Sequence, residues 1–396
     1  MMIPAYLDSL GGMTVSLALL AKGFKLLGMS NRLRVLVRTG SLTETYFIEN
    51  ELADVLEILP RSKRGFFNEA LRWTHHQPIH WPLLLDNSVW RSRLPKLLRA
   101  SFPLRRSGRP IYHFCHDLAL SESLLGLLAR KITFACLNPK VICNSRFTAD
   151  HVRQIMPNVK GVLYQPVDLD QIHRSQSVDL SPPEALKPIL ASGARIMLTP
   201  SRINQPGIVN DKNLRALIPV LAALKQRGQN YHSVVIGEDN SEGKTRTQDL
   251  LKQAHDQGVA DRFTILPPTF AIEQYYQYAD IVVTLAPREP FGRTVVEAIA
   301  CGVPVVGSNT GGINEILQNF APNWTVNPHS PDEVAGCIIQ VMTSANTPEV
   351  LKLGQQWIRE NCSLEAYARG MMQLAGLSST QSNDCQVKKF TSSVYI

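Results

Sequence analysis

No stretch of the sequence approaches the ~18–20 consecutive apolar residues that a membrane-spanning helix needs. The most apolar run, residues 16–27, is interrupted by Lys22 and Lys25. The amino terminus lacks the basic start, apolar stretch and small-residue cleavage site of a secretory signal. Cysteine is sparse and scattered: Cys115, Cys136, Cys143, Cys301, Cys337, Cys362 and Cys385, an odd number with no Cys-x-x-Cys pair. That argues against a disulfide framework or a zinc site and fits a reducing cytosol. No short-period repeat is present. Glycine and proline, 24 and 25 of 396 residues, are too ordinary for a collagen-like or wholly disordered chain. With 44% hydrophobic and 19% charged residues, the length suits two domains, each with its own core.

The net charge of +8 is unevenly placed. Residues 1–110 hold 16 Lys/Arg against 8 Asp/Glu, so the remainder is neutral. Residues 61–109 alone carry 11 basic residues against Glu69 and Asp86, interleaved with Phe66, Phe67, Trp73, Trp81, Trp90 and Phe102. Basic plus aromatic character predicts either a solvated helical face or contact with an anionic surface, a membrane before a nucleic acid. No nucleic-acid module signature supports the latter.

Along the chain, apolar runs alternate with helical patterns, which predicts parallel sheets covered on both faces. Strands are expected at 34–38, 110–114, 140–143 and 161–164, with helices at 13–27 and 146–156. The second half is more regular. Its strands are expected at 195–199, 233–236, 263–266, 280–284 and 303–306. Its helices are expected at 213–227, 247–257, 295–300, 313–317 and 331–343, followed by 348–360 and 364–374. Residues 168–193, with Ser181-Pro-Pro183, read as the connection between the halves. The domains are therefore expected at 1–172, joined by the helix 364–377, and at 185–363. The polar tail 378–396 is expected to be disordered.

The most informative stretch is Glu289-Pro-Phe-Gly-Arg-Thr-Val-Val-Glu297-Ala-Ile-Ala-Cys-Gly-Val-Pro-Val-Val. It follows a strand and opens a helix, where open α/β sheets bind their ligands. Backbone N–H groups from Gly292 to Val295 would face an anion, aided by the helix dipole. A carboxylate accepts hydrogen bonds from two adjacent hydroxyls, as a ribose presents. Two carboxylates flanking an anion site suit a sugar-phosphate ligand. Thr294-Val-Val-Glu297 is also a capping-box pattern, in which Glu297 merely satisfies the helix start.

This stretch, with the following Thr310-Gly-Gly-Ile-Asn-Glu315, resembles the E-x7-E region of retaining glycosyltransferases of the family 4 (group 1) type. The resemblance spans most of the chain, strongest over 195–317 and poor over 41–109. It implies the GT-B fold, two Rossmann-like domains facing each other across a cleft, with C-terminal helices packing back toward the first. It implies a nucleotide-diphosphate sugar as donor and a hydroxyl of a glycan or lipid-linked acceptor.

By the same resemblance, Arg202 and Lys212 hold the donor diphosphate, a task suited to a guanidinium and an ammonium. Nine residues separate them, more than usual, and Asn213 stands where a Gly is customary. Gly11 and Gly12 match an N-terminal glycine loop whose amides approach phosphate. The strand before that loop is short, which suggests a start a few residues inside that of its relatives. His116, at the end of a strand in Ile111-Tyr-His-Phe-Cys-His-Asp117, is chosen over His113 as the residue that positions donor or acceptor. Glu289 orients sugar hydroxyls, Phe291 and Gly292 offer backbone N–H groups, Thr294 and Val295 add to the phosphate site, and Glu297 holds the ribose. Pro267 and Pro268 line the base pocket. Asp168-Leu-Asp170 falls in a closing segment and reads as architecture rather than a metal site.

No cofactor and no metal are expected. The location expected is cytoplasmic, peripheral at the inner face of a membrane contacted through residues 61–109. Two other readings stand beside transfer: a nucleotide-sugar epimerase of the same fold, and a non-catalytic nucleotide-sugar-binding scaffold.

Overall fold

The computed structural model describes residues 1–9, 11–177, 181–207, 211–269 and 271–377. Residues 378–396, expected to be disordered, lie outside the described residues, as does Leu10 beside the glycine loop. The chain divides into two compact units: Met1–Pro166 with the chain from Asn361 onward, and Val167–Glu360.

Unit one alternates strand and helix: β1 (Met2–Ile3), α1 (Gly12–Leu26), β2 (Val35–Arg38), α2 (Leu42–Glu49), β3 (Leu56–Leu59), α3 (Phe66–His75), β4 (Leu83–Asp86), α4 (Leu94–Arg106), β5 (Ile111–Cys115), α5 (Leu124–Leu137), β6 (Lys140–Cys143), α6 (Arg146–Val152) and β7 (Val159–Val162). In unit two come α7 (Leu169–Ser177), α8 (Lys187–Ala191), β8 (Arg195–Pro200), α9 (Leu217–Gln226), β9 (Tyr231–Ile236), α10 (Thr245–Asp256), β10 (Phe263–Leu266) and α11 (Ile272–Tyr276). They are followed by β11 (Ile281–Thr284), α12 (Arg293–Ala300), β12 (Val305–Ser308), α13 (Gly311–Leu317), β13 (Thr325–Val326), α14 (Pro331–Thr343) and α15 (Thr347–Cys362). Finally α16 (Leu364–Leu374) rejoins unit one and packs on α1.

Both sheets are parallel throughout. Their strand orders are β3-β2-β1-β4-β5-β6-β7 and β10-β9-β8-β11-β12-β13. Each is the doubly wound Rossmann order, in which the sense of winding reverses between the first and fourth strands. The loops leaving β1 and β4, and those leaving β8 and β11, therefore part and leave a crevice at the carboxyl end of each sheet.

The period-two alternation of strand side chains sorts the core of unit one into two layers. Val35, Val37, Tyr112, Phe114 and Ile142 join α1 and α16 on one face. Leu36, Leu85, Ile111, Val141 and Cys143 join the helices of the other face. Because both faces are covered, the strands read as continuous apolar runs, as in Ile196-Met-Leu198, where all three residues are fully buried.

Several expected boundaries move: the helix expected at 146–156 ends at Val152, and the strand expected at 303–306 lies at 305–308. Strand β7 lies two residues earlier than 161–164, and its pairing with β6 shifts register between Val141 and Ile142. The helix expected from 213 begins as a 3-10 turn at Leu214–Ala216 before α9. Residues 168–193, read as a connection, carry α7 and α8.

Candidate active site

In unit one the crevice is built around Asp86, the last residue of β4. Its Oδ2 accepts the N–H of Ala5, just beyond β1, at 3.1 Å. Its Oδ1 lies 2.7 Å from His116 Nε2. A carboxylate only accepts, so His116 carries its proton on Nε2. His116 Nδ1 is 2.8 Å from Gln165 Nε2. The main chain of His116 is pinned as well: Asn87 Oδ1 accepts its N–H, and Asn144 Nδ2 donates to its carbonyl. His116 thus joins the exits of β1, β4 and β5, buried, with both ring nitrogens engaged. Arg93 crosses the same region, donating to Ala5 O and Ser88 Oγ. Burial holds its guanidinium below the usual range, and the nearby Asp86 opposes that shift.

His113 behaves differently. Its Nε2 accepts the N–H of Ser88 at 3.0 Å, so that nitrogen bears no proton, and Nδ1 faces Cys115 Sγ at 3.1 Å. Burial pushes the imidazole down to about 3, and it stays neutral in the core. Two residues of this crevice have left-handed backbone, Asn87 (φ 37°) and Ala119 (φ 52°). Asp117 braces them: Oδ2 accepts from Asn87 Nδ2 and Oδ1 from Ala119 N–H, both at 2.8 Å. Alanine in that conformation is strained, and such strain gathers at functional loops.

Gly11 caps α1 and Gly12 is its first residue, both exposed. A Cβ at Gly12 would meet nothing within 4 Å, so packing does not demand glycine there. The first turn of α1 holds no acidic side chain that would compete for its N–H groups.

In unit two, the loop leaving β8 carries Arg202, whose side chain is exposed. A Cβ on Gly237 would lie 1.9 Å from Ser201 O, so only glycine lets this loop cross the end of β9. Lys212 Nζ meets Glu289 Oε2 at 2.5 Å, and both side chains are half-buried. Two residues chosen 77 positions apart are thus brought into contact. Asn213 adopts φ 51°, the left-handed region, which explains how it replaces glycine there. Its buried Nδ2 also donates to Leu285 O and Pro328 O, tying the turn to the exit of β11. Beside it Asp211 holds Arg215 through both oxygens and accepts the N–H of Asn213. Burial alone would raise the Asp211 carboxyl, but these bonds outweigh it and leave the group below its ordinary value.

The Glu289 loop rests on α13. A Cβ on Gly312 would fall 2.4 Å from Phe291 O, and Gly312 N–H donates to Glu289 O at 2.7 Å. The Thr310-Gly-Gly element therefore braces this loop. Phe291 is buried, and Gly292, at φ 97°, caps α12.

The cap decides the alternative role of Glu297. The helix starts one residue before Thr294, whose hydroxyl donates to Pro200 O, so Thr294 and Glu297 form no capping box. Instead Glu297 Oε1 accepts from Arg293 Nε at 2.6 Å and Oε2 from Tyr276 OH at 3.2 Å. Burial, with Glu297 alongside, pushes the Tyr276 phenol well above its usual range, so it remains a donor. Val295, expected among the anion-binding amides, donates its N–H to Gly292 O at 2.9 Å.

The sequence analysis assigns no site role to Asp86, Gln165, Arg93, Tyr276 or Gly237. Asp86 carried a signal, as the polar end of the run Leu83-Leu-Leu-Asp86. The others act by touching a residue distant in sequence.

Comparison with known proteins agrees with this layout. Residues 196–359 match the family "Glycosyl transferases group 1". The D-inositol 3-phosphate glycosyltransferase of Rhodococcus erythropolis is 26% identical over 360 residues, covering 85% of this chain and 76% of that protein. The enzyme of the same name from Mycolicibacterium gilvum is 34% identical over 157 residues, 39% of this chain and 34% of its own. Among solved structures, the Anabaena HepE protein in complex with UDP-glucose superposes with a TM-score of 0.72 at 20% identity, over 95% of this chain and 98% of that one. A glycosyltransferase from Rickettsia africae gives 0.68 at 16% identity, over 94% and 96%. The chain thus has two Rossmann-like units, and residues 196–359 form a domain of the glycosyl transferases group 1 family.

Proposed function

We propose that the chain is a family 4 type enzyme, transferring a sugar from a nucleotide-diphosphate sugar to a hydroxyl of a glycan or lipid-linked acceptor. The anomeric configuration is retained and no metal takes part. The observation that carries this reading is the Lys212–Glu289 pair beside the Arg202 loop, at the exits of β8 and β11. Cleavage of the anomeric bond leaves negative charge on the diphosphate. Fixed cations aimed at that charge stabilise it without reorganisation, which is the task a bound metal would otherwise perform. Arg202 and Lys212 are those cations. The ion pair aims Lys212 and leaves the second oxygen of Glu289 to orient a sugar hydroxyl. Glu297, steadied by Arg293 and Tyr276, accepts the two hydroxyls of the ribose. In unit one, Asp86 and Gln165 hold His116 in one orientation, and His116 is the residue assigned to positioning the donor or the acceptor.

The site of action in this proposal is the cytoplasmic side of a membrane. Contact through part of residues 61–109 belongs to this proposal.

HepE was solved with UDP and UDP-glucose, so uridine ligands come first in the test. Calorimetric titration of UDP, GDP and ADP, then of their sugars, is expected to find one nucleotide that binds. Incubation with that sugar nucleotide and an acceptor, D-inositol 3-phosphate among the first tried, is expected to give a product with the donor's anomeric configuration. Isomerisation of the purified sugar nucleotide without acceptor would replace transfer by epimerisation. Binding without turnover would leave a scaffold.

A further inference from the structure

We propose that the outer face of α4 and α5 is a docking surface for an anionic lipid bilayer. On α5, Leu124, Leu125, Leu128 and Ile132 are exposed at 85, 80, 53 and 47%. They recur at helical spacing on one side, and Lys131 is the only charged residue among the exposed positions of this helix. On α4, Phe102 is 70% and Leu98 40% exposed, one turn apart. The two helices pack side by side. Arg91 reaches Ser123 Oγ at one end and Arg105 reaches Cys136 O at the other. Leu98 and Phe102 lie on the flank of α4 that carries Arg105, so the two apolar stripes are neighbours. Soluble surfaces seldom leave this many large apolar side chains together in the open.

Charge identifies the occupant. Neither helix contains an acidic residue. Arg99, Arg105, Arg106 and Lys131 are exposed around the apolar stripe. An apolar centre with a cationic rim fits acyl chains beneath anionic headgroups, where long basic side chains extend to the phosphates. A second copy fits poorly, because a two-fold interface would set this rim against itself. Among the described residues no helix is long and apolar enough to cross a membrane, so contact of this kind is peripheral.

The structure also narrows the footprint expected from sequence. Of the six aromatics interleaved in residues 61–109, only Trp90 and Phe102 are exposed. Arg109 donates to the carbonyls of Thr74, Gln77, Pro78 and Trp81, closing the end of α3, and Arg93 serves the crevice. Those two cations are structural. The apolar part of the surface, by contrast, lies mostly on α5, outside the basic stretch.

The test is co-sedimentation of the whole chain with vesicles of phosphatidylcholine alone or with about one-third phosphatidylglycerol, without sugar nucleotide. The mixed vesicles are expected to bind and the neutral ones to bind far less. Each basic residue near an anionic surface is worth roughly fivefold, so Arg99→Gln, Arg106→Gln and Lys131→Gln together should lower partition about a hundredfold. Leu124→Ser with Leu125→Ser should lower it at least ~10-fold, and these exposed positions leave the melting temperature in place. Equal binding to both vesicles, or full binding by the leucine variant, would overturn the proposal. So would a lipid-free dimer in analytical ultracentrifugation that the leucine variant dissociates, which would assign the face to a second copy. Because no donor is present, failure here leaves the catalytic reading untouched, and the reverse also holds.

Discussion

Replacing Asn213 by Ala and, separately, by Gly divides the work of this residue into two measurable parts. Asn213 sits at φ 51° and ψ 34°, and its side chain, 3% exposed, donates to Leu285 O at 3.1 Å and Pro328 O at 3.2 Å. Alanine loses both bonds and leaves two carbonyls short of a donor, which costs about 1–3 kcal/mol. It also keeps a Cβ in left-handed backbone, a strain of about 1–2 kcal/mol that asparagine partly offsets through the hydrogen bonds of its side chain. Asn213→Ala should therefore destabilise by about 2–4 kcal/mol. Asn213→Gly removes the bonds but not the conformational freedom, so it should recover about 1 kcal/mol of that loss. Urea unfolding measures both, provided the denaturant slope is unchanged, and hydrogen exchange at α9 amides locates the loss in unit two. The two variants should also differ at the site, because Lys212 precedes the turn and must reach Glu289. Nucleoside-diphosphate affinity should fall in the alanine variant and return toward wild type in the glycine variant. Equal stability of the two would refute the claim that left-handed backbone selects this residue. A wild-type midpoint for Asn213→Ala would remove the role of the side chain altogether.

Glu297→Ala should weaken nucleotide binding by about 10–100-fold in calorimetry, the worth of one or two hydrogen bonds to a charged group. Arg202→Ala or Lys212→Ala should lower turnover by ~10²–10³-fold, more than it raises KM, in a steady-state transfer assay. Transfer should persist in excess EDTA, and its abolition, with rescue by a divalent cation, would reject the metal-independent mechanism. His113 sets an acid limb. Its folded value of about 3 lies below the ordinary 6.5, so the unfolded chain binds the proton more readily. Its contribution is whole above 6.5 and is lost as pH falls toward 3, at about 1.4 kcal/mol per pH unit. His113→Gln, which keeps an acceptor for Ser88 N–H, should flatten that limb in chemical unfolding at pH 7, 6 and 5.

The sheet of unit two was legible because its strands are buried on both faces and stand out as apolar runs between helices. Unit one was less so. Strand β1 has two residues and β4 is four residues preceded by Trp81 and Pro82, too short for any periodicity to show. Both are nonetheless central, since neighbouring strands rather than their own length hold them in the sheet. The 289–315 motif was readable because contacts bridge its parts. The glycines at 311 and 312 are needed where the backbone of residues 289–291 lies against α13.

The capping alternative at Thr294 and the departure at Asn213 have the same origin. Both turn on which residue takes left-handed backbone, and the sequence pattern marks that only when the residue is glycine. At α12 the glycine, Gly292, suits a phosphate loop as well as a helix cap, so the pattern Thr294-Val-Val-Glu297 mimics a capping box although the helix starts at Arg293. At Lys212 the glycine was absent, so the motif looked broken although Asn213 supplies the same dihedral angles. The residues to which the sequence assigns no site role, Asp86, Gln165, Tyr276 and Gly237, each work by holding another residue in place. A residue meant for a ligand must suit the chemistry of that ligand, and its type announces it. A residue that holds another need only reach it, so many types serve, and only the fold shows which one was used.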